Sequence, residues 1–209
     1  MLFCIRDLYL KNSLLLHIGI TLLETVISFF LVFLISLFAA TLLWYSAKAA
    51  EILEPYLVVL NSLPKSALAP LLIVWLGTGM NTIITAGISV AVFGAVISLY
   101  SSFRQTDAEK IKLVTTLGGH RKDIFLKVVL PSNIPVIIST AKINIGLALV
   151  GVIIGEFLAA RRGLGYLIIY GSQVFQLHMV IASILILCII SLILYLLISQ
   201  IEHAYKKLI

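Results

Sequence analysis

Long apolar runs separated by short polar breaks organise this chain. The first contains the uninterrupted stretch VISFFLVFLISLFAATLLW and ends at Trp44. Reading the runs outward to their polar limits predicts spans over 14–44, 56–76, 82–100, 134–158 and 179–199. Each is long enough to cross a hydrocarbon core as a helix, which takes about 20 residues. The fold class this predicts is all-α, a polytopic membrane helix bundle of about five transmembrane helices in a single domain, 1–209. Between the spans, YSAKAAEILEP reads as a short turn and Gly77–Asn81 as a tight one. The second span is broken by Pro64 and Pro70. Residues 1–12 are too polar to cross and read as an interfacial helix. YLIIYGSQVFQLH, after Arg161–Gly165, is too short and interrupted to cross and reads as lying at the outer surface. No short apolar segment with a small-residue cleavage site opens the chain, so no signal peptide is expected.

The loop over 101–132 breaks the pattern differently. Six of the fifteen basic residues lie in it: Arg104, Lys110, Lys112, Arg121, Lys122 and Lys127. Thr106 followed by Glu109 has capping-box spacing, and Ile111, Val114 and Leu117 give the ensuing helix one apolar edge. Gly118-Gly119 ends that helix. Ile124, Phe125, Val128 and Val129 then form the apolar side of a second amphipathic stretch, which Pro131 stops. Two short helices with an elbow read as a docking element for a soluble partner.

Composition fixes the solvent. Hydrophobic residues make up 61% and charged residues 11% of 209, and mean hydropathy is +1.16. A soluble domain of this length carries roughly twice that charge. The net charge of +6 is clustered at loops, so it reports topology and lipid headgroups rather than nucleic acid. With the basic loop inside, nine basic residues are cytoplasmic against Arg6, Lys11, Arg161 and Arg162 outside, as the positive-inside rule favours. Cys4 and Cys188 suggest no disulfide framework, and no metal-ligand spacing, catalytic cluster or nucleotide-binding loop occurs. No catalytic residues, metal site or cofactor of its own are therefore expected.

Gly118, nine intervening residues, Val128, one residue and Leu130-Pro131 resemble the EAA loop of binding-protein-dependent ABC importer permeases. Lys112-Leu113-Val114 stands where that family has its Glu-Ala-Ala triplet. SLLLHIGITL, LPKSALAPLLIVWLGTG and IGEFLAARRGLGYLI resemble the nitrate/sulfonate/taurine branch, whose relatives include permeases for pyrimidine precursors. Members usually carry a further span before the first one here. The resemblance implies a MetI-like permease core of a type I importer in the bacterial inner membrane. ATP would be bound by a partner, a cytoplasmic ABC ATPase dimer. Further implied partners are an extracytoplasmic substrate-binding protein, a second permease copy in a homodimer, and membrane lipids. It also implies that Leu117, Gly118, Gly119, His120, Leu130 and Pro131 couple to the ATPase. Read alone, His120 is a solvated loop residue. The rival reading is a self-sufficient channel or membrane-embedded enzyme whose basic loop binds anionic lipid.

Three ionisable residues inside spans are candidates for the translocation path. Lys65 lies about ten residues, or roughly 15 Å, from the cytoplasmic end of its span, between two prolines that free backbone carbonyls. It either lines the path or bonds those carbonyls. Lys142 and Glu156 share one helix face with Gly146 to within about 80°. Gly151 and Gly155 form a small-residue pair on the opposite side, which permits close helix packing. A helix polar on one face and small on the other belongs at the centre of the bundle. Lys142 and Glu156 are roughly 21 Å apart along it and need separate partners. Internal hydrogen-bond struts and substrate contact are both open to them, and the two lysines are compatible with an anion. Glu24 and His17, near the start of the first span, read as reaching the interface.

Overall fold

The computed structural model describes residues 14–206, and they are helical nearly throughout. The interfacial helix expected over 1–12, with Cys4, Arg6 and Lys11, lies outside the described residues, as does Lys207. The elements are α1 (Leu14–Tyr45), α2 (Ala47–Ser62), α3 (Lys65–Leu76), α4 (Met80–Arg104), α5 (Ala108–Thr116) and α6 (Arg121–Ile124). A π turn (Phe125–Val129) leads into α7 (Leu130–Ser132), α8 (Ile134–Ala159), α9 (Leu164–Gln173) and α10 (Leu177–Lys206). Among the described residues α1, α4, α8 and α10 are long and apolar enough to cross a membrane, and α2 with α3 makes a fifth span if the bent pair counts as one.

The stretch read as a turn over 45–55 is helical instead. Ser46 caps α2 by accepting a hydrogen bond from the Ala49 N–H at 3.3 Å. Lys48, Glu51 and Glu54 made the stretch look like a loop, but they are good helix formers on an exposed face. The expected single span over 56–76 is bent by 95° after Ser62. Pro64 causes the break: it has no N–H and drives Leu63 into an extended conformation, φ −61°, ψ 137°. The missing bond would have used the Leu60 carbonyl, and the Lys65 ammonium donates to that oxygen instead.

α8 is the central helix, packed on α4, α1, α3, α9 and α10. Small residues set its distance from α4. A Cβ on Gly151 would lie 2.7 Å from the Gly87 Cα and 2.8 Å from the Ala86 carbonyl oxygen. One on Gly155 would lie 2.9 Å from the Ile83 Cα. α1 joins the same crossing through Ser28, whose hydroxyl fills the space above Gly87 and donates to the Ile84 carbonyl at 3.4 Å. Since the nearest obstacle at Gly155 is backbone and the Ala86 Cβ behind it cannot rotate away, Gly155→Leu must push α8 from α4, costing about 1–3 kcal/mol or more. The expected result is a lower yield of monodisperse protein and a lower melting temperature in detergent. A normal value of both would show that this face can open freely.

Candidate functional site

The loop between α4 and α8 is a built object, fixed at its base and bare at its tip. At the base Asn133 ties both ends together. Its Nδ2 donates to Thr106 Oγ1 at 2.8 Å and to the Val129 carbonyl at 2.7 Å, and its Oδ1 accepts from the Ser102 hydroxyl. Thr106 is thus spent on Asn133, and the cap of α5 is Asp107, whose carboxylate accepts from the Glu109 N–H at 2.9 Å. The capping box read from Thr106 and Glu109 is corrected by one residue, because Asp107 is an equally good cap and lies nearer the helix.

Phe125 anchors the second half. Its ring centroid lies 5.2 Å from Trp44, 5.6 Å from Tyr45 and 5.7 Å from Phe103. These belong to the ends of α1 and α4, so the loop is packed against two helices of the bundle at once. Arg121 lies over the Trp44 ring at 5.8 Å. Pro131 does not stop the helix; it sits in α7, and the chain breaks at Asn133. The turn ahead of Pro131 widens to π geometry, which relieves the pressure of the proline ring on the preceding turn.

At the tip, α5 ends in a Schellman motif. The Gly119 N–H reaches the Val114 carbonyl at 2.9 Å and the Gly118 N–H reaches that of Thr115 at 3.0 Å. Gly118 takes φ +82° with open space around its Cα, while a Cβ on Gly119 would collide with Val114. His120 then begins α6, and its N–H donates to the Asp123 carboxylate at 3.1 Å. Asp123 also accepts from Lys127 at 3.1 Å. The Lys127 hydrogen bond, followed by that from His120, holds the Asp123 carboxyl below the usual carboxylate range. This cap is therefore intact above that range and is lost as pH falls through the lowered value. Leu113 and Leu117 stand one turn apart and are 62% and 78% exposed, flanked by Lys110, Lys112 and Lys122. Leu130, by contrast, is packed at the base.

The three intramembrane candidates do not converge. Lys65 is half-buried at the α2–α3 bend, bonded to Leu60 and 5.1 Å from the Phe93 ring centroid. Lys142 pairs with Glu202 of α10 and lies 5.5 Å from the Tyr195 ring centroid. Glu156 is fully buried at the other end of α8. It accepts from the Thr21 hydroxyl at 2.6 Å and the Gly165 N–H at 2.5 Å, and also from the Tyr166 N–H.

That last cluster extends further than the sequence reading saw. His17 and Glu24 do not reach an interface; they are 6% and 3% exposed and point into the protein. The Gly163 N–H donates to His17 Nδ1 at 2.8 Å, and the Leu164 N–H to Thr21 Oγ1 at 2.9 Å. α1 and α8 together thus satisfy the first N–H groups of α9, which have no partner within their own helix. The signal was present: His17, Thr21, Glu24, Thr25 and Ser28 fall within about 100° on an ideal helix. A polar stripe that narrow on so apolar a helix marks a buried face.

Comparisons with known proteins place the chain in a family. The family model described as "Binding-protein-dependent transport system inner membrane component" matches residues 6–207. A probable ABC transporter permease protein of Haemophilus influenzae is 34% identical over 189 residues, which cover 90% of this chain and 77% of that protein. The formylaminopyrimidine transport permease protein ThiX of Halalkalibacterium halodurans is 25% identical, covering 72% of this chain and 60% of its own length. The putative aliphatic sulfonates transport permease protein SsuC of Bacillus subtilis is 26% identical, covering 88% and 67%. In fold, the chain is similar to a chain of the MetNI methionine ABC transporter in an inward-facing conformation. The TM-score is 0.80 at 20% identity, over 93% of this chain and 98% of that one. The chain belongs to the family of binding-protein-dependent transport system inner membrane components, the multi-pass permease subunits of ABC importers.

Proposed function

We propose that this permease forms half of a translocation pathway for a small anionic solute and takes its drive from a cytoplasmic ATPase through the 106–131 loop. One observation carries the reading: an exposed elbow, Leu117 to His120, sits on a stem that Phe125 and Asn133 join rigidly to α1, α4 and α8. A displacement of the tip is then passed to three bundle helices rather than absorbed in a slack loop. Leu113 and Leu117 offer the apolar contact, and the lysines around them favour an acidic groove. Nucleotide shifts such a permease between inward- and outward-open states only through different affinity for the two.

A second copy of the chain would complete the pore, with two ATPase subunits beneath and a binding protein delivering solute from outside. The exposed apolar residues of α2 and α3, including Val59, Leu71, Val74 and Trp75, are available to that copy or to lipid. Lys142 is committed to Glu202 and Glu156 to the start of α9, so both serve as struts in this reading. Lys65 remains as the cation that faces the path, at a broken helix of the kind that forms midplane sites. The relatives' names divide between aliphatic sulfonates and a formylaminopyrimidine. The lysine favours the sulfonate class.

The test is uptake of labelled taurine and methanesulfonate into proteoliposomes. The expected result is no uptake by the permease alone. Uptake should appear when the partner ATPase, the binding protein and ATP are all supplied. ATP-independent flux through the permease alone would support a channel instead.

A further inference from the structure

Glu24 lies one turn beyond Thr21 on α1, and because Thr21 bonds Glu156 of α8, the two buried carboxyl groups are brought close enough to share a hydrogen bond. Two carboxylates have no hydrogen between them, so a hydrogen bond of this kind requires one bound proton. The surroundings decide which group holds it. Glu156 accepts from Thr21 of α1 and from the Gly165 and Tyr166 N–H groups at the start of α9, where a helix favours negative charge. Its valences are those of an anion. Glu24 has the opposite setting: it is 3% exposed, and no N–H or hydroxyl among the described residues donates to its buried Oε2. A buried charge with an orphaned oxygen is far more costly than a neutral acid there. The other titratable or charged groups at the cluster are His17 on α1, Tyr166 on α9 and Arg162 in the α8–α9 connection. His17 is spent on Gly163 and stacks on Tyr166 at 6.2 Å, while Arg162 is exposed and acts on His17.

We infer that the Glu24–Glu156 pair is a proton-binding site inside the bundle, with Glu24 the neutral acid donating its proton to the Glu156 carboxylate. One proton and one negative charge are held per chain. Glu156 spends the charge on capping α9, and Glu24 fastens α1 to the same carboxylate. The joint between α1, α8 and α9 therefore depends on this bound proton.

Infrared spectroscopy of the purified permease at neutral pH tests this. The expected spectrum shows one carboxylic-acid C=O band per chain that shifts on carboxyl-¹³C-glutamate labelling. Glu24→Gln should remove the band and keep the melting temperature, because the amide N–H donates to Glu156 as the acid did. Glu156→Gln should lower the melting temperature, because α9 then loses its anionic cap. Absence of an acid band in the wild type would overturn the inference, as it would mean two carboxylates held by a cation. A sodium-dependent melting temperature would overturn it in the same way. A band that survives Glu24→Gln, or collapse of that variant, would overturn it too, and the labelled wild-type spectrum decides even without a variant.

Discussion

Gly163→Ala is expected to yield little folded permease. Gly163 has φ +118° and ψ 167°, a region open in practice to glycine alone, and forcing another residue into it costs about 1–3 kcal/mol. The second obstacle is larger. A Cβ there would run into the Glu156 carboxyl group, which has no room to retreat because it holds Thr21, Gly165 and Tyr166. Either α9 lifts from α8 and loses the bonds from Gly163, Leu164 and Gly165, or Glu156 is expelled from its site. Each lost buried hydrogen bond adds about 1–3 kcal/mol, more where a charge is involved. Size-exclusion profiles and melting curves in detergent read the outcome directly. A well-folded Gly163→Ala protein with wild-type stability would show that the α9 start is not the rigid joint described.

Gly118→Val should do the reverse, sparing the fold and breaking transport. Gly118 also has positive φ, but nothing lies within 4 Å of where its Cβ would be, and it stands at the exposed elbow. The cost is conformational, about 1–2 kcal/mol and more for a β-branched residue. It falls on the Schellman turn that orients Leu117 and His120. The membrane helices do not feel it, so melting temperature and yield should match wild type. Docking that depends on the elbow should weaken by roughly tenfold or more, the ratio for about 1.4 kcal/mol. The readouts are ATPase retained on purified permease and ATP-driven uptake in vesicles. Full retention with full uptake would remove the elbow from the coupling path.

The contrast between these two glycines shows what could be read in advance. Gly118 was legible as a helix stop because everything that defines the elbow is local: an amphipathic edge before it and a second one after it. Gly163 carries no such local signal, because what makes it critical is Glu156 and His17, brought in by tertiary packing. His17 is 146 residues away along the chain. The same distinction runs through the fold. Hydropathy alone located the long spans, and the Gly151/Gly155 pair announced a close packing face, but nothing local named α4 as the helix it meets. Glu24 and His17 read as interfacial because they lie near the beginning of an apolar run, where an interfacial charge is the ordinary expectation. Their spacing, not their nearness to the end, carried the information. At 45–55 the charged residues masked a helix that a serine cap begins and whose continuation Pro64 ends.

The central claim is that the elbow is the surface that meets the ATPase, and cross-linking tests it most directly. A permease with Leu117→Cys should be assembled with the ATPase and treated with a short thiol-to-amine cross-linker. A matched sample should carry Phe175→Cys in the α9–α10 connection, where Phe175 is 89% exposed at the opposite end of α8 and α10. The account predicts a permease–ATPase adduct from position 117 and none from position 175. ATPase that co-purifies with the permease but gives no adduct from 117, or gives one from 175, would contradict it.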